Sequence, residues 1–174
     1  MRIGVTGAPE TGKTELAKAL AKELKLPLVL IDAEEALDFL GTDISEVSAR
    51  KALAVDLEIR MLQKQILAEE GYKSFVSNRT GLDYLAHWRA YGLDEDSGVG
   101  RDFKKRCLER EYELIVYVPY YGKEEKFALI DSLIVSFLGG PLCSYDFVAV
   151  NGELKKDVAL VKKALEGGLL GGKG

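Results

Sequence analysis

Apolar positions along the chain fall into two alternating rhythms. Short continuous runs, Ile3-Gly4-Val5, Leu28-Val29-Leu30-Ile31, Phe75-Val76, Leu114-Ile115-Val116-Tyr117-Val118 and Phe147-Val148-Ala149-Val150, read as strands buried on both faces. The stretches between them carry helical spacing. Leu16, Ala17, Leu20, Ala21 and Leu24 line one face of a helix over about residues 12–25, and Pro27 separates it from the second strand. Residues 33–40 read as a short helix stopped at Gly41. Asp43-Ile44-Ser45-Glu46 resembles a capping box, and the segment from there to about residue 70 lacks proline and glycine, so it is expected to form one long helix. Its apolar stripe is Leu53, Leu57 and Met61, widened by Val55, Ile59, Leu62 and Ile66; Met61 reads as core filling. Strand 72–77, helix 82–90, a polar loop 91–100 and a basic helix 101–110 follow, then strand 114–118 ended by Pro119. Helix 124–138 presents Phe127, Ile130, Ile134 and Phe137, and strand 147–150 leads into helix 153–165. Five strands alternating with helices predict an α/β fold, a five-stranded, mainly parallel sheet with helices on both faces.

Composition narrows the class further. The 174 residues suit one domain, expected over 1–166, with a glycine-rich, frayed tail at 167–174. A formal net charge of −4 argues against a dedicated nucleic-acid surface. Cys107 and Cys143 match no metal or redox spacing and read as small hydrophobes of a reduced compartment. With no signal segment and no membrane-length apolar stretch, the expected location is cytoplasmic.

The candidate chemistry begins at the first strand. Gly7-Ala8-Pro9-Glu10-Thr11-Gly12-Lys13-Thr14, set between a strand and a helix that opens with Thr14-Glu15, is a Walker A phosphate loop. Its glycines let backbone N–H groups curl around phosphate oxygens, and the helix presents its positive end to the same anion. Lys13 can reach the β- and γ-phosphates, and the Thr14 hydroxyl can ligate Mg²⁺. The bland reading is a glycine-rich turn that binds nothing. In a parallel sheet the C-terminal strand ends converge on one crevice. That rule gathers the loop with Asp32, Asn78-Arg79, Pro119-Tyr120-Tyr121 and Asn151-Gly152.

Three further stretches carry a resemblance. They are Asn78-Arg79-Thr80-Gly81-Leu82-Asp83-Tyr84-Leu85, Tyr112-Glu113-Leu114-Ile115-Val116-Tyr117-Val118-Pro119 and Tyr145-Asp146-Phe147-Val148-Ala149-Val150-Asn151-Gly152. With the Walker A loop they resemble the small-molecule kinase branch of the P-loop NTPases, a three-layer fold. The likeness is closest to the AAA-type ATPase family that includes ribosylnicotinamide-kinase-like and nucleoside or nucleotide kinase domains. The resemblance implies ATP and Mg²⁺ as cofactors and phosphoryl transfer to a small metabolite, a nucleoside, nucleotide or related ribosyl compound. It implies that Arg79 contacts phosphate or the acceptor, with Asp83 orienting Arg79 or touching the acceptor, and that Asn151-Gly152 lie beside the adenine. Asp32 matches by position a carboxylate that holds or deprotonates the acceptor; as a plain helix cap it needs no such role.

Two departures qualify the likeness. Asn78 stands where the family carries an acid that helps hold Mg²⁺, and residues 120–126 hold only Lys123 and Lys126 where a lid arginine is usual. Arg101, Lys105 and Arg106 read as a solvated basic face, Tyr120 and Tyr121 as packing or base-stacking residues, and His87, alone without a metal partner, as structural. The second reading is a P-loop ATPase, GTPase or nucleotide-binding switch without a small acceptor. Asn151 is followed by Gly-Glu-Leu, which is no guanine-specific NKxD motif, and the choice between ATP and GTP stays open.

Overall fold

The computed structural model of the chain describes residues 1–167. The expected frayed tail therefore lies outside the described residues, apart from Gly167. In chain order the elements are β1 (Arg2–Thr6), α1 (Lys13–Leu24), β2 (Leu28–Val29), α2 (Ala33–Leu40), α3 (Ile44–Ala49), α4 (Lys51–Glu70) and β3 (Phe75–Ser77). They continue with α5 (Gly81–Ala90), α6 (Gly98–Leu108), β4 (Leu114–Tyr117), α7 (Glu125–Leu138), β5 (Phe147–Ala149) and α8 (Leu154–Glu166).

The strands pair in the order β2-β3-β1-β4-β5, all parallel. This is the α/β architecture that the alternation predicts. Side-chain alternation divides the core between the two faces of the sheet. Ile3 and Val5 of β1, Leu114 and Val116 of β4, and Val76 pack with Leu16, Ala17, Leu20 and Ala21 of α1 and Val161 of α8. Phe75, Ile115 and Tyr117 point the other way, into a larger cluster built from α2 through α7. Gly4 also faces that side, where a Cβ would come 2.5 Å from Thr80 Cγ2 and 3.0 Å from Tyr112. Only a hydrogen there lets the chain before α5 lie flat against β1.

The long helix expected over residues 43–70 is two helices. Arg50 takes an extended conformation (φ −128°, ψ 106°) and separates α3 from α4. Val47 and Ala54, both buried, are seven residues apart and therefore share a helical face, so the apolar stripe runs through the junction in register and gives no sign of a break. Long-range contacts flank the break: Lys126 Nζ donates to Ser48 Oγ at 3.1 Å and Lys51 Nζ to Gly92 O at 3.1 Å. Asp43 caps α3 through Glu46 N at 2.9 Å, but the Glu46 side chain takes the Thr42 hydroxyl instead of returning to the cap.

The basic helix also shifts, opening at Gly98 with a Ser97 cap on Gly100 N and closing at Leu108. Gly100 is required because a Cβ would strike the Asp94 backbone. Arg106 pairs with Asp102 at 2.9 Å and Lys105 with Glu109 at 3.7 Å, the solvated face that was expected. Both cysteines are free, Cys107 buried and Cys143 half-buried.

Candidate active site

The loop from Gly7 to Thr14 leaves β1 at the centre of the sheet, between its neighbours β3 and β4. Two residues take left-handed backbone, Glu10 (φ 61°) and Gly12 (φ 82°). Gly7 is packed so tightly that a Cβ would lie 2.6 Å from Val118 O. Thr11 Oγ1 closes the turn on Ala8 O at 2.9 Å, and Leu16 N donates to Gly12 O at 3.0 Å as α1 starts. Among the described residues the backbone amides from Glu10 to Glu15 have no hydrogen-bond acceptor. Such a run of free donors at a helix N-terminus, in a tight turn, is built to receive an anion. Pro9 and Thr11 are half-buried, Ala8 is buried, and Glu15 is exposed beside Lys18.

Lys13 folds back into its own loop. Its ammonium, 7% exposed with the rest of the side chain, donates to Gly7 O at 2.6 Å and to Asp83 Oδ1 at 3.0 Å. Burial pushes its pKa down, while Asp83 beside it holds the proton in place. Asp83 is the keystone of the region. Fully buried, it accepts from Thr6 Oγ1 (2.8 Å), Gly7 N (3.3 Å), Thr80 N (2.7 Å) and Thr80 Oγ1 (2.9 Å) as well as from Lys13. Burial works against its charge, but Lys13, Arg79 and the Thr80 amide outweigh it and hold the carboxyl below its usual range. It also completes a capping box with Thr80 at the start of α5.

The expected pairing of Asp83 with Arg79 does not form. Because Thr80 is the cap, Arg79 lies outside α5, so the i,i+4 relation that would join the two on one helix face does not exist. Arg79 is half-buried, its Nε has no partner, and among the described residues its guanidinium makes no ion pair. It is a free cation beside the loop lysine, felt by Lys13 and Asp83 alike.

Asn78 fastens β2 to the loop. Its Oδ1 accepts from Ile31 N at 2.9 Å, and its Nδ2 donates to Ile31 O at 3.1 Å and Thr14 Oγ1 at 3.2 Å. The amide is thus bonded as a two-sided clamp that a carboxylate could not copy, since a carboxylate has no proton to give Ile31 O. We expect Asn78→Asp to lose about 1–3 kcal/mol of stability by placing carboxylate oxygen against that carbonyl. A urea midpoint equal to wild type would show the clamp to be dispensable.

The remaining predicted residues sit further out. Asp32 is exposed and caps α2 through Glu34 N at 2.9 Å. Asn151 and Gly152 are exposed, and both backbone amides donate at 2.9 Å to the buried Asp157, which fixes the turn into α8. Tyr120 packs edge-on against Phe127, and Tyr121 is open to solvent. Lys126 turns inward from α7, 4.4 Å from the Tyr91 ring centre.

Sequence reasoning passed over Glu58, which is 3% exposed on α4 with Oε2 unpartnered. The available signal was an ionisable residue in register with the buried stripe of Ala54, Leu57, Met61 and Leu62. His87 is buried as a structural residue would be, yet its Nε2 is also unpartnered. No group of three or more metal-ligating side chains occurs among the described residues.

Comparison with known proteins places the fold. A family model described as an AAA domain matches residues 2–126. A search of curated proteins finds no match. Among solved structures, deoxyadenosine kinase from M. mycoides, with dCMP and dCDP bound, superposes with a TM-score of 0.73 at 16% identity, covering 96% of this chain and 100% of that one. The NadR protein in complex with NAD and AMP-PNP gives 0.74 at 19% identity, over 95% of this chain and 48% of that one. Shikimate kinase from Aquifex aeolicus gives 0.55 at 21%, over 99% and 100%. At these identities the likeness establishes the fold.

Proposed function

The chain belongs to the AAA-domain family, and from that premise we propose that it is an ATP- and Mg²⁺-dependent kinase of a small hydroxylated metabolite, a nucleoside, nucleotide or related ribosyl compound. One observation carries this reading. A phosphate loop with its lysine and free amides in place stands next to Arg79, whose guanidinium makes no ion pair among the described residues. A transferase needs a positive group on the acceptor side of the γ-phosphoryl group, where charge develops during transfer.

In this reading the nucleotide phosphates lie against the amides of residues 10–15 and Lys13. Thr14 Oγ1 would hold Mg²⁺ together with the phosphates, and the ion would supply neutralisation of charge on the phosphate oxygens. Asn78 takes one lone pair of that hydroxyl and leaves the other for the cation. Lys13 and Arg79 flank the transferring group. The bond from the γ-phosphorus to the β–γ bridging oxygen breaks as the acceptor oxygen bonds to phosphorus, and the acceptor proton passes to a carboxylate. Asp32 keeps one carboxylate oxygen free of its cap for an acceptor at the open side of the site. Asn151 and Gly152 border the base. The three solved relatives, kinases or nucleotide complexes by their own descriptions, support a small acceptor.

The test is ADP release with ATP, Mg²⁺ and a panel of nucleosides, nucleotides and ribosyl compounds. Acceptor-dependent release is expected. Release indifferent to every acceptor would establish the hydrolase or switch reading, which the amide at Asn78 favours.

A further inference from the structure

The core-facing side of α4 carries three polar residues, and two of them are satisfied. Gln65 Nε2 donates to Glu69 Oε1 and to Arg79 O, each at 2.7 Å, while Tyr84 donates to Gln65 at 2.6 Å and Tyr112 to Glu69 at 2.7 Å. Glu58 lies about two turns earlier on the same face, equally buried, and its Oε2 meets nothing. Arg79 Nε and His87 Nε2 are in the same condition.

Gln65 of α4 meets Tyr84 of α5 at 2.6 Å and Arg79 O at 2.7 Å, and Lys51 at the start of α4 meets Gly92 O just beyond α5 at 3.1 Å, so the two helices pack antiparallel with Glu58 and His87 between those contacts. The charges of Arg79, Asp83, Lys126 and Lys13 act on both Glu58 and His87. The His87 ring lies 6.3 Å from Tyr91, over which Lys126 Nζ sits. Yet Glu58 and Arg79 do not pair with each other. Three elements, α4, the turn after β3 and α5, thus each carry an unpartnered buried polar atom, where the charge of the loop lysine is felt by Glu58 and His87.

Leaving such groups unsatisfied is unfavourable for each of them. A helix that satisfies Gln65 and Glu69 has no folding reason to leave Glu58 bare. Burial pushes the Glu58 carboxyl up to about 8, against the pull of Arg79, and His87 down to about 3. Both are therefore largely uncharged at neutral pH. A hydroxyl, which donates and accepts, satisfies Glu58 in either protonation state, whereas a phosphate or carboxylate only accepts and is repelled whenever Glu58 ionises.

We propose that Glu58, Arg79 and His87 form the acceptor end of the site, where Glu58 Oε2 shares a hydrogen bond with a hydroxyl of an uncharged, hydroxylated acceptor and Arg79 Nε and His87 Nε2 engage its neighbouring oxygens. The assignment rests on the kinase reading and adds a buried carboxylate to it, distinct from the exposed Asp32. Glu58→Met keeps the length and removes an unpartnered buried acid together with its hydrogen-bonding atoms, so it folds with an unchanged or raised melting temperature.

The experiment compares wild type, Glu58→Met, His87→Gln and Asp32→Ala. It uses adenosine, guanosine, cytidine, uridine and their 5′-monophosphates as acceptors, and a fluorescent ATP analogue as the nucleotide-binding control. The expected result is an acceptor KM raised about tenfold to a hundredfold in Glu58→Met. His87→Gln raises it less, Asp32→Ala least, and the analogue binds as in wild type. An unchanged acceptor KM and kcat in Glu58→Met overturns the proposal, as does a monophosphate acceptor whose KM ignores that substitution. If no compound drives ADP release from wild type, the kinase reading falls by itself. The site is then decided by calorimetric titration of the same nucleosides into protein loaded with a non-hydrolysable ATP analogue. A nucleoside bound by wild type and not by Glu58→Met sustains it, and absence of binding overturns it.

Discussion

Lys13→Ala is expected to lower nucleotide-dependent turnover by about 10²–10³-fold or more. The ammonium is a point charge at the end of a buried side chain, held 2.6 Å from Gly7 O and 3.0 Å from Asp83 Oδ1 at the mouth of a ring of free amides. Water entering the space left by alanine would carry no charge in place of the ammonium. An alanine leaves the γ-phosphoryl group with Arg79 as its remaining nearby cation. Lys13→Gln separates charge from shape: its amide can still donate to Gly7 and Asp83, so it should retain more stability than alanine and no more activity. ADP release and melting temperature measured on both variants make the comparison. Turnover near the wild-type rate in either folded variant would remove the loop from the mechanism.

Asp83→Ala should lose about 3–5 kcal/mol of stability, the range for stripping one partner from a buried ion pair. The loss is large because Asp83 serves two structures at once. It caps α5 with Thr80, and it ties β1 and the loop through Thr6, Gly7 and Lys13. Asp83→Asn retains the volume and part of the bonding and should lose less.

Acid tests the charge of Asp83 directly. The folded-state pKa of Asp83 lies below its ordinary 3.8, so just under that value the unfolded chain binds the extra proton. The contribution of Asp83 to stability is then complete above about pH 4 and drains away as pH falls through the folded-state pKa. Urea midpoints followed downward from pH 7 should therefore converge for wild type and Asp83→Asn. Parallel curves would mean that the carboxylate is not charged in the folded protein.

Much of this architecture is legible in local pattern. Gly7 to Thr14 declares a phosphate loop because the backbone at Gly12, φ 82°, and the close approach of Gly7 to Val118 are written into glycine itself. Asp32 and Asp43 announce helix starts because a cap is satisfied within three residues. The order of strands and helices follows from period alone. The break at Arg50 does not, since the apolar stripe crosses it in register. Nor does the role of Asn78. Set against a family pattern it looks like a missing acid, while in space it is a clamp on Ile31 and Thr14, partners 47 and 64 residues away.

The chain by itself therefore determined the parallel α/β sheet, the phosphate loop and the convergence of β-strand ends, because each follows from interactions within a few residues or from a simple periodicity. Tertiary structure alone decided which charges meet. Asp83 reaches Lys13 across 70 residues of chain rather than Arg79 four positions before it, because the cap at Thr80 turns Arg79 off the helix. That leaves Arg79 without an ion pair among the described residues, and the isolation of its Nε, of Glu58 Oε2 and of His87 Nε2 becomes visible once α4, α5 and the turn after β3 are packed together. The physical reason is the same throughout: caps and periods are short-range, whereas the charge and burial that decide chemistry are properties of neighbours in space.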